Sequence, residues 1–166
     1  ENSGVEATEQ WAADVVGNFV RSPQGGDTDQ IRAVAAGECD VAVVNHYYLA
    51  RLIASSDAAD QEVANAVGFA FPNQDDRGAH ANISGAGVVA TAPNHDNAVA
   101  LVEFMTTEEA QRIFAEGNHE FPVVAGVTAS PIAQSFGPFE IDPVNVSVYG
   151  SNNPDAVRLM DRVGWR

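Results

Sequence analysis

Apolar positions in this chain change their spacing from one stretch to the next. Trp11, Val15 and Phe19, with neighbours Ala12, Val16 and Val20, form one stripe at helical spacing and predict a helix over 6–21. Pro23 and Gly25-Gly26 break it. Asp27 with Gln30 reads as a capping box that opens a short helix carrying Ile31 and Val34, which Gly37 ends. Val41 to Val44 is then a continuous apolar run, expected to be a strand covered on both faces. Leu49, Leu52 and Ile53 return to helical spacing almost at once. The intervening Asn45-His46-Tyr47-Tyr48 is therefore placed at the end of a strand and the start of a helix, where α/β sheets bind ligands.

Further on, the pattern predicts a helical turn at Val63–Ala66 and a strand at Val67–Phe71. Pro72–Gly78 is a loop, with Asp75-Asp76-Arg77 a solvated turn. His80 to Val89 alternates weakly, and Gly85 and Gly87 suggest a bend or a close backbone approach. Asn94 or His95 opens a helix with Ala98, Val99, Leu101, Val102 and Met105 on its apolar side. Thr106 with Glu109 caps the next, carrying Ala110, Ile113 and Phe114 and ended by Gly117. Phe121–Gly126 and Pro131–Pro143 are irregular. Asn153 before Pro154 starts the last helix, with Val157, Met160 and Val163 buried.

Charge narrows the partners. The net charge is −15, and all eight basic residues are arginine. Nucleic acid and anionic membranes both need a basic surface, so neither is a partner. No apolar run approaches the ~20 residues that span a bilayer, so no membrane insertion is expected. The acidic excess also suits a high-salt environment, where screening relieves self-repulsion; a merely acidic protein is the equal alternative. The chain opens at Glu1 without Met or signal-like segment, as a processed or trimmed product would. Cys39, the only cysteine, excludes an internal disulfide and reads as a small core residue.

The histidines His46, His80, His95 and His119 are not paired at metal-ligand spacing. Neither a nucleophile elbow nor a phosphate-binding glycine loop is present. Tyr47 and Tyr48 remain. Adjacent tyrosines are commonly packing residues. Their chemical use is to lose their protons and bind a hard cation, since a metal ion can deprotonate a ligand outright and oxygen donors suit hard ions such as Fe(III). His46 beside them could orient a phenolate.

The run from Gly25 through Tyr47-Tyr48 closely resembles the ferric-iron-binding proteins of bacterial ABC importers, transferrin-like periplasmic proteins that hold Fe(III) with tyrosine phenolates. The stretches His80–Val88, Ala110–Val123 and Asn153–Trp165 resemble the same family. The resemblance implies a periplasmic-binding-protein type II fold of class α/β, present as a partial chain with one lobe plus segments of the other. Family members are two-lobed and about twice as long, so the chain looks like a C-terminal half. Residues 1–79 would form the ligand-binding lobe with the tyrosine pair. Residues 80–131 would give a hinge strand and helices of the other lobe, and 132–166 a return segment and C-terminal helix.

The implied function is a carrier, not an enzyme. It is periplasmic, or lipid-anchored outside a Gram-positive cell, and delivers ferric ion to an ABC importer permease. Tyr47 and Tyr48 are its metal ligands, and a synergistic anion such as carbonate joins the iron. Some relatives use phosphate, contacted at the position of Asn45, and tend to carry a neutral residue at the position of Asp27; the negative charge of Asp27 argues against phosphate here. Two alternatives stay open. One is a binding protein for another small anion, with the tyrosines stacking or hydrogen bonding. The other is a hydrolase or transferase with Tyr47 as acid or base. The helices from about 95 to 117 would lack most of their own lobe, exposing Leu101, Met105 and Phe114, so self-association of the chain is expected.

Overall fold

The computed structural model describes residues 2–165. Regular structure among these is helical: α1 (Val5–Gly17), α2 (Asp27–Ala35), α3 (His46–Ala54), α4 (Ala58–Ala66), α5 (His95–Met105), α6 (Glu108–Asn118), α7 (Pro131–Ser135) and α8 (Val146–Val163).

The expected strands do not form. Among the described residues the only β pairing outside the helices is a single parallel bridge between Ala79 and Ile141. The Ala79 amide donates to the Glu140 carbonyl at 2.8 Å, and Asp142 donates back to the Ala79 carbonyl at 2.9 Å. Residues 41–45, 67–71 and 80–89 run without helix or ladder. A strand exists only when a neighbour fills its hydrogen bonds, and no backbone ladder joins any of these segments to another. Val41–Val44 is not covered on both faces: Val41 is 78% exposed and Val43 97%. The α/β expectation therefore holds here only in its helices and its extended links.

What does pack is the group α2, α3, α4 and α7, each in contact with α3 or α4. Ile31, Leu49 and Leu52 form its buried centre. Val44, Tyr48, Val63, Val67, Phe69 and Phe136 close around them. Apolar burial of this kind contributes about 25 cal/mol per Å² removed from water. Phe69 lies on Phe136 with centroids 4.3 Å apart. Phe71 stacks on Phe139 at 4.1 Å and carries the apolar layer outward to Phe121. α1 packs instead on α8, where Trp165 sits 6.1 Å from Trp11 and edge-on to Phe19 at 5.2 Å. Arg162 closes that pair with a two-pronged bond to Glu9. α5 and α6 pack on each other and leave Leu101 and Ile113 exposed; Met105 and Phe114 are half-buried.

Several helix ends differ from the sequence reading. α1 stops at Gly17, four residues early, and Asn18 caps it. Asp27 does not cap α2; the Gly26 amide donates to Asp29 at 2.8 Å instead. α4 starts at Ala58 because Asp57 accepts from the Ala59 amide. Thr107, not Thr106, caps α6, accepting from Ala110. α6 runs past Gly117 to Asn118 and ends on His119 in the left-handed conformation, φ 58°. The last helix begins at Val146, capped by Asn145, with Pro154 inside it. A proline at N1 and one in mid-helix look alike locally, since each merely lacks an N–H. Leu159 is the buried residue of α8, and Val157 is 52% exposed. Pro131–Ser135, expected to be irregular, forms α7, opened by the Ser130 hydroxyl accepting from Ala133.

Candidate functional site

Tyr47 and Tyr48 occupy the first turn of α3, just after its N-cap Asn45. Adjacent residues on a helix diverge by about 100°, yet these two rings converge, with centroids 4.6 Å apart and planes tilted by 34°. Arg51, one turn further on, explains the convergence. Its guanidinium carbon is 5.2 Å from the Tyr47 centroid and 5.3 Å from that of Tyr48. Arg51 lies four residues after Tyr47 and three after Tyr48, spacings that make it a surface neighbour of each. The guanidinium is held in turn by Asn118 at the end of α6, whose Oδ1 accepts from both Nε and one terminal nitrogen.

The chain entering α3 is fixed from α2. The Asp27 carboxylate accepts from the Asn45 backbone amide at 2.8 Å and from its side-chain amide at 3.1 Å. Asn45 Oδ1 accepts from Asn82 at 2.9 Å, tying the extended segment after residue 80 to the same corner. His46 Nε2 donates to the backbone carbonyl of His119 at 2.9 Å, with its ring 4.7 Å from that of Phe121 and edge-on to that of Tyr47 at 5.8 Å. Burial holds its pKa below the ordinary histidine value. The His119 ring hydrogen-bonds with the Ser130 hydroxyl at 3.0 Å.

Burial pushes the Tyr47 phenol above its ordinary pKa, reinforced by hydrogen bonding and charge at Tyr48 and by the nearby Asp27; Arg51 pulls the other way. Both phenols are half-buried. Without a cation the Tyr47 phenol keeps its proton at neutral pH, and a bound cation must displace it. Among the described residues no group of three His, Cys, Asp or Glu is placed to hold a metal ion. The donors that converge are phenolic oxygens, which suits a hard trivalent ion better than zinc or copper.

The structure thus brings together the two residues singled out as ligands and places His46 beside them with its ring turned to Phe121. His80 and His95 lie elsewhere, against Tyr149 and Asp96. Sequence reasoning passed over Arg51 and Asn118. Arg51 had a readable signal, because it lies four and three residues after the tyrosines on a predicted helix. Asn118 had none, since its part depends on where α6 ends.

Residues 1–137 match the family of bacterial extracellular solute-binding proteins. The iron uptake protein A2 of Synechocystis is 50% identical over 165 residues, covering 98% of this chain and 48% of that protein. A Trichodesmium protein, IdiA (FutA), solved in complex with iron and citrate ligands, superposes with TM-score 0.89 at 55% identity, over 98% of this chain and 52% of that one. The ferric binding protein of Campylobacter jejuni superposes with TM-score 0.95 at 42% identity, over 99% of this chain and 52% of that one. The chain spans about half the length of the curated relatives it matches, and over that span it shares the fold of these binding proteins. The chain belongs to the bacterial extracellular solute-binding proteins.

Proposed function

We propose that this chain serves in an extracytoplasmic Fe(III) carrier that delivers ferric iron to an ABC importer, with Tyr47 and Tyr48 as phenolate ligands. The observation that carries the reading is the convergence of the two rings at 4.6 Å under one guanidinium. Two phenolates would bring negative charge to one spot, and Arg51 is placed to offset part of it. The likeness to proteins named for iron uptake and ferric-iron binding supports the choice of cargo. A ferric ion takes more than two ligands, so the remaining positions fall to other groups, a synergistic anion such as carbonate among them. The partner is the importer's permease, and the role is transport without catalysis.

In this reading residues 1–79 form the ligand-binding lobe, whose packed helices α2–α4 carry the tyrosines. Residues 80–131 supply the hinge segment and α5–α6 as parts of a second lobe. Residues 132–166 return the chain and end in α8. A second reading, a carrier for another small anion with the tyrosines as hydrogen-bonding and stacking groups, draws on the same guanidinium.

Adding ferric ion separates the two. Phenolate ligation produces a visible charge-transfer band, and stacking does not. Tyr47→Phe and Tyr48→Phe keep ring packing while deleting one anionic oxygen each. Each should weaken or shift the band and lower affinity by orders of magnitude. A band of wild-type strength and position in both variants would exclude the pair as ligands.

A further inference from the structure

Asn118, the last residue of α6, bonds a cation with one end of its amide and an anion with the other. Its Oδ1 accepts from Nε of Arg51 at 2.9 Å and from a terminal guanidinium nitrogen, and its Nδ2 donates to Oε1 of Glu120. Oε2 of Glu120 accepts from the Ser84 hydroxyl at 3.3 Å. The Glu120 carboxylate thus stands one amide group away from the Arg51 guanidinium without pairing with it. That is exceptional among the described arginines. The other six each pair with a carboxylate: Arg21 with Glu38, Arg32 with Asp60, Arg77 with Asp142, Arg112 with Glu108, Arg158 with Asp155 and Arg162 with Glu9.

The chain's charge makes that separation hard to keep. It carries 23 acidic residues and a net charge of −15, and hydrogen bonds from arginine to a carboxylate are shorter and stronger than those between neutral groups. The competing attraction is weak. The guanidinium carbon lies 5.2 Å and 5.3 Å from the Tyr47 and Tyr48 ring centres, close enough for a cation over a ring face. At an exposed site such contacts are worth about as little as a surface ion pair, so neither decides alone where the guanidinium rests. A primary amide decides it, because it accepts from the cation and donates to the anion at once, from opposite ends of one rigid plane.

We propose that Asn118 is a positioning residue of the tyrosine site: its uncharged amide, interposed between Arg51 and Glu120, keeps the guanidinium on the phenol rings and out of an ion pair with the carboxylate. A smaller side chain at 118 opens the gap, and Glu120 then draws Arg51 off the rings. An acid at 118 still holds Arg51 but neutralises it. The use of this arrangement rests on the reading of Tyr47 and Tyr48 as Fe(III) ligands, since a cation that stays unpaired beside them offsets the charge of two phenolates. The placement itself does not rest on that reading.

Proton NMR of the iron-free chain tests the placement. The Nε–H and δ-methylene signals of Arg51 lie near two tyrosine rings and are displaced by their ring currents. Asn118→Ala should remove most of that displacement. Adding Glu120→Gln to the same chain should restore it, because the carboxylate that captures the guanidinium is gone; a mere tether at 118 predicts loss in both. Ferric ion supplied as its nitrilotriacetate complex tests the use. Affinity should fall roughly tenfold in Asn118→Ala and in Asn118→Asp, as expected when one unit charge beside the phenolates is withdrawn or neutralised, and recover when Asn118→Ala is combined with Glu120→Gln. Circular dichroism checks that each variant folds, and Asn118→Asp, which retains an acceptor, carries the test if Asn118→Ala does not. Signals unmoved in Asn118→Ala, or a loss that Glu120→Gln does not reverse, overturns the proposal, as does wild-type ferric affinity in Asn118→Asp. Signals that follow the expected pattern in a chain giving no phenolate band with ferric ion defeat the iron reading alone. A wild-type band with signals unmoved by Asn118→Ala defeats this proposal alone.

Discussion

The carboxylate of Asp27 reaches from α2 to take the backbone amide of Asn45 at 2.8 Å, immediately before the helix that carries the tyrosines. The same oxygen accepts from the Asn45 side chain at 3.1 Å. One acidic residue therefore sets where α3 begins. Hydrogen bonds to a charged group are worth about 1.5–3 kcal/mol each. Asp27→Ala should lower the unfolding free energy by about 1–3 kcal/mol and loosen the Tyr47–Tyr48 geometry. Asp27→Asn, which can still accept one bond, should lose less. Denaturant unfolding of the two variants checks the order, and equal losses would show that a neutral acceptor cannot stand in for the carboxylate.

His46 makes stability depend on pH in a defined direction. Burial depresses its pKa in the folded chain, so between the folded value and the ordinary value near 6.5 the unfolded chain binds more protons. Stability rises with pH across that window. The contribution is fully present above the ordinary histidine pKa and disappears as pH falls through the folded one. Melting temperature measured from pH 8 to pH 5 should drop on the acid side, and His46→Gln should flatten that part of the profile. A variant with the wild-type slope would place the acid sensitivity in other groups.

Val41 and Val43 present an extended backbone with no ladder partner among the described residues. Unpaired strand edges with apolar side chains recruit other chains, and lysine placed on them blocks the pairing. The chain should self-associate in sedimentation at micromolar concentration, and Val41→Lys with Val43→Lys should reduce the associated fraction. A monomer in both forms would show that the edge is inert, leaving Leu101 and Ile113 on α5 and α6 equally without consequence.

The net charge of −15 with no lysine implies self-repulsion that screening relieves. The Debye length falls from about 10 Å at 0.1 M to about 3 Å at 1 M, so the melting temperature should rise with sodium chloride. Chloride is the right salt, because sulfate stabilises most proteins by exclusion. A flat or falling curve would remove any special fitness for salt.

How much of this was legible differs from residue to residue. The helix over α3 was plain, since Leu49 and Leu52 keep helical spacing and both are buried. The tyrosines' place on its first turn followed directly. That no strand forms before it was not legible in the sequence alone. Val41–Val44 has the composition of a buried strand, but a ladder depends on which backbone lies alongside, and the sequence of one segment carries no information on that. Pro154 misled for a related reason, because the helix already running from Val146 was hidden by Gly150 and the two asparagines that follow. Arg51 was recoverable from spacing, whereas its anchor Asn118 depended on α6 continuing one residue past Gly117.

The bond from His46 to residue 119 ends on a main-chain carbonyl. No substitution at position 119 can delete that acceptor, because every amino acid brings one. Glycine there would also remove the cost of holding a side-chain-bearing residue at φ 58°. Position 46 has less freedom, since the bond needs a side-chain N–H donor of that reach. For this bond a mutational scan would therefore record sensitivity at 46 and none at 119, where only the separate ring contact to Ser130 is at stake, and a map drawn from paired sensitivities would overlook the link between α3 and the end of α6.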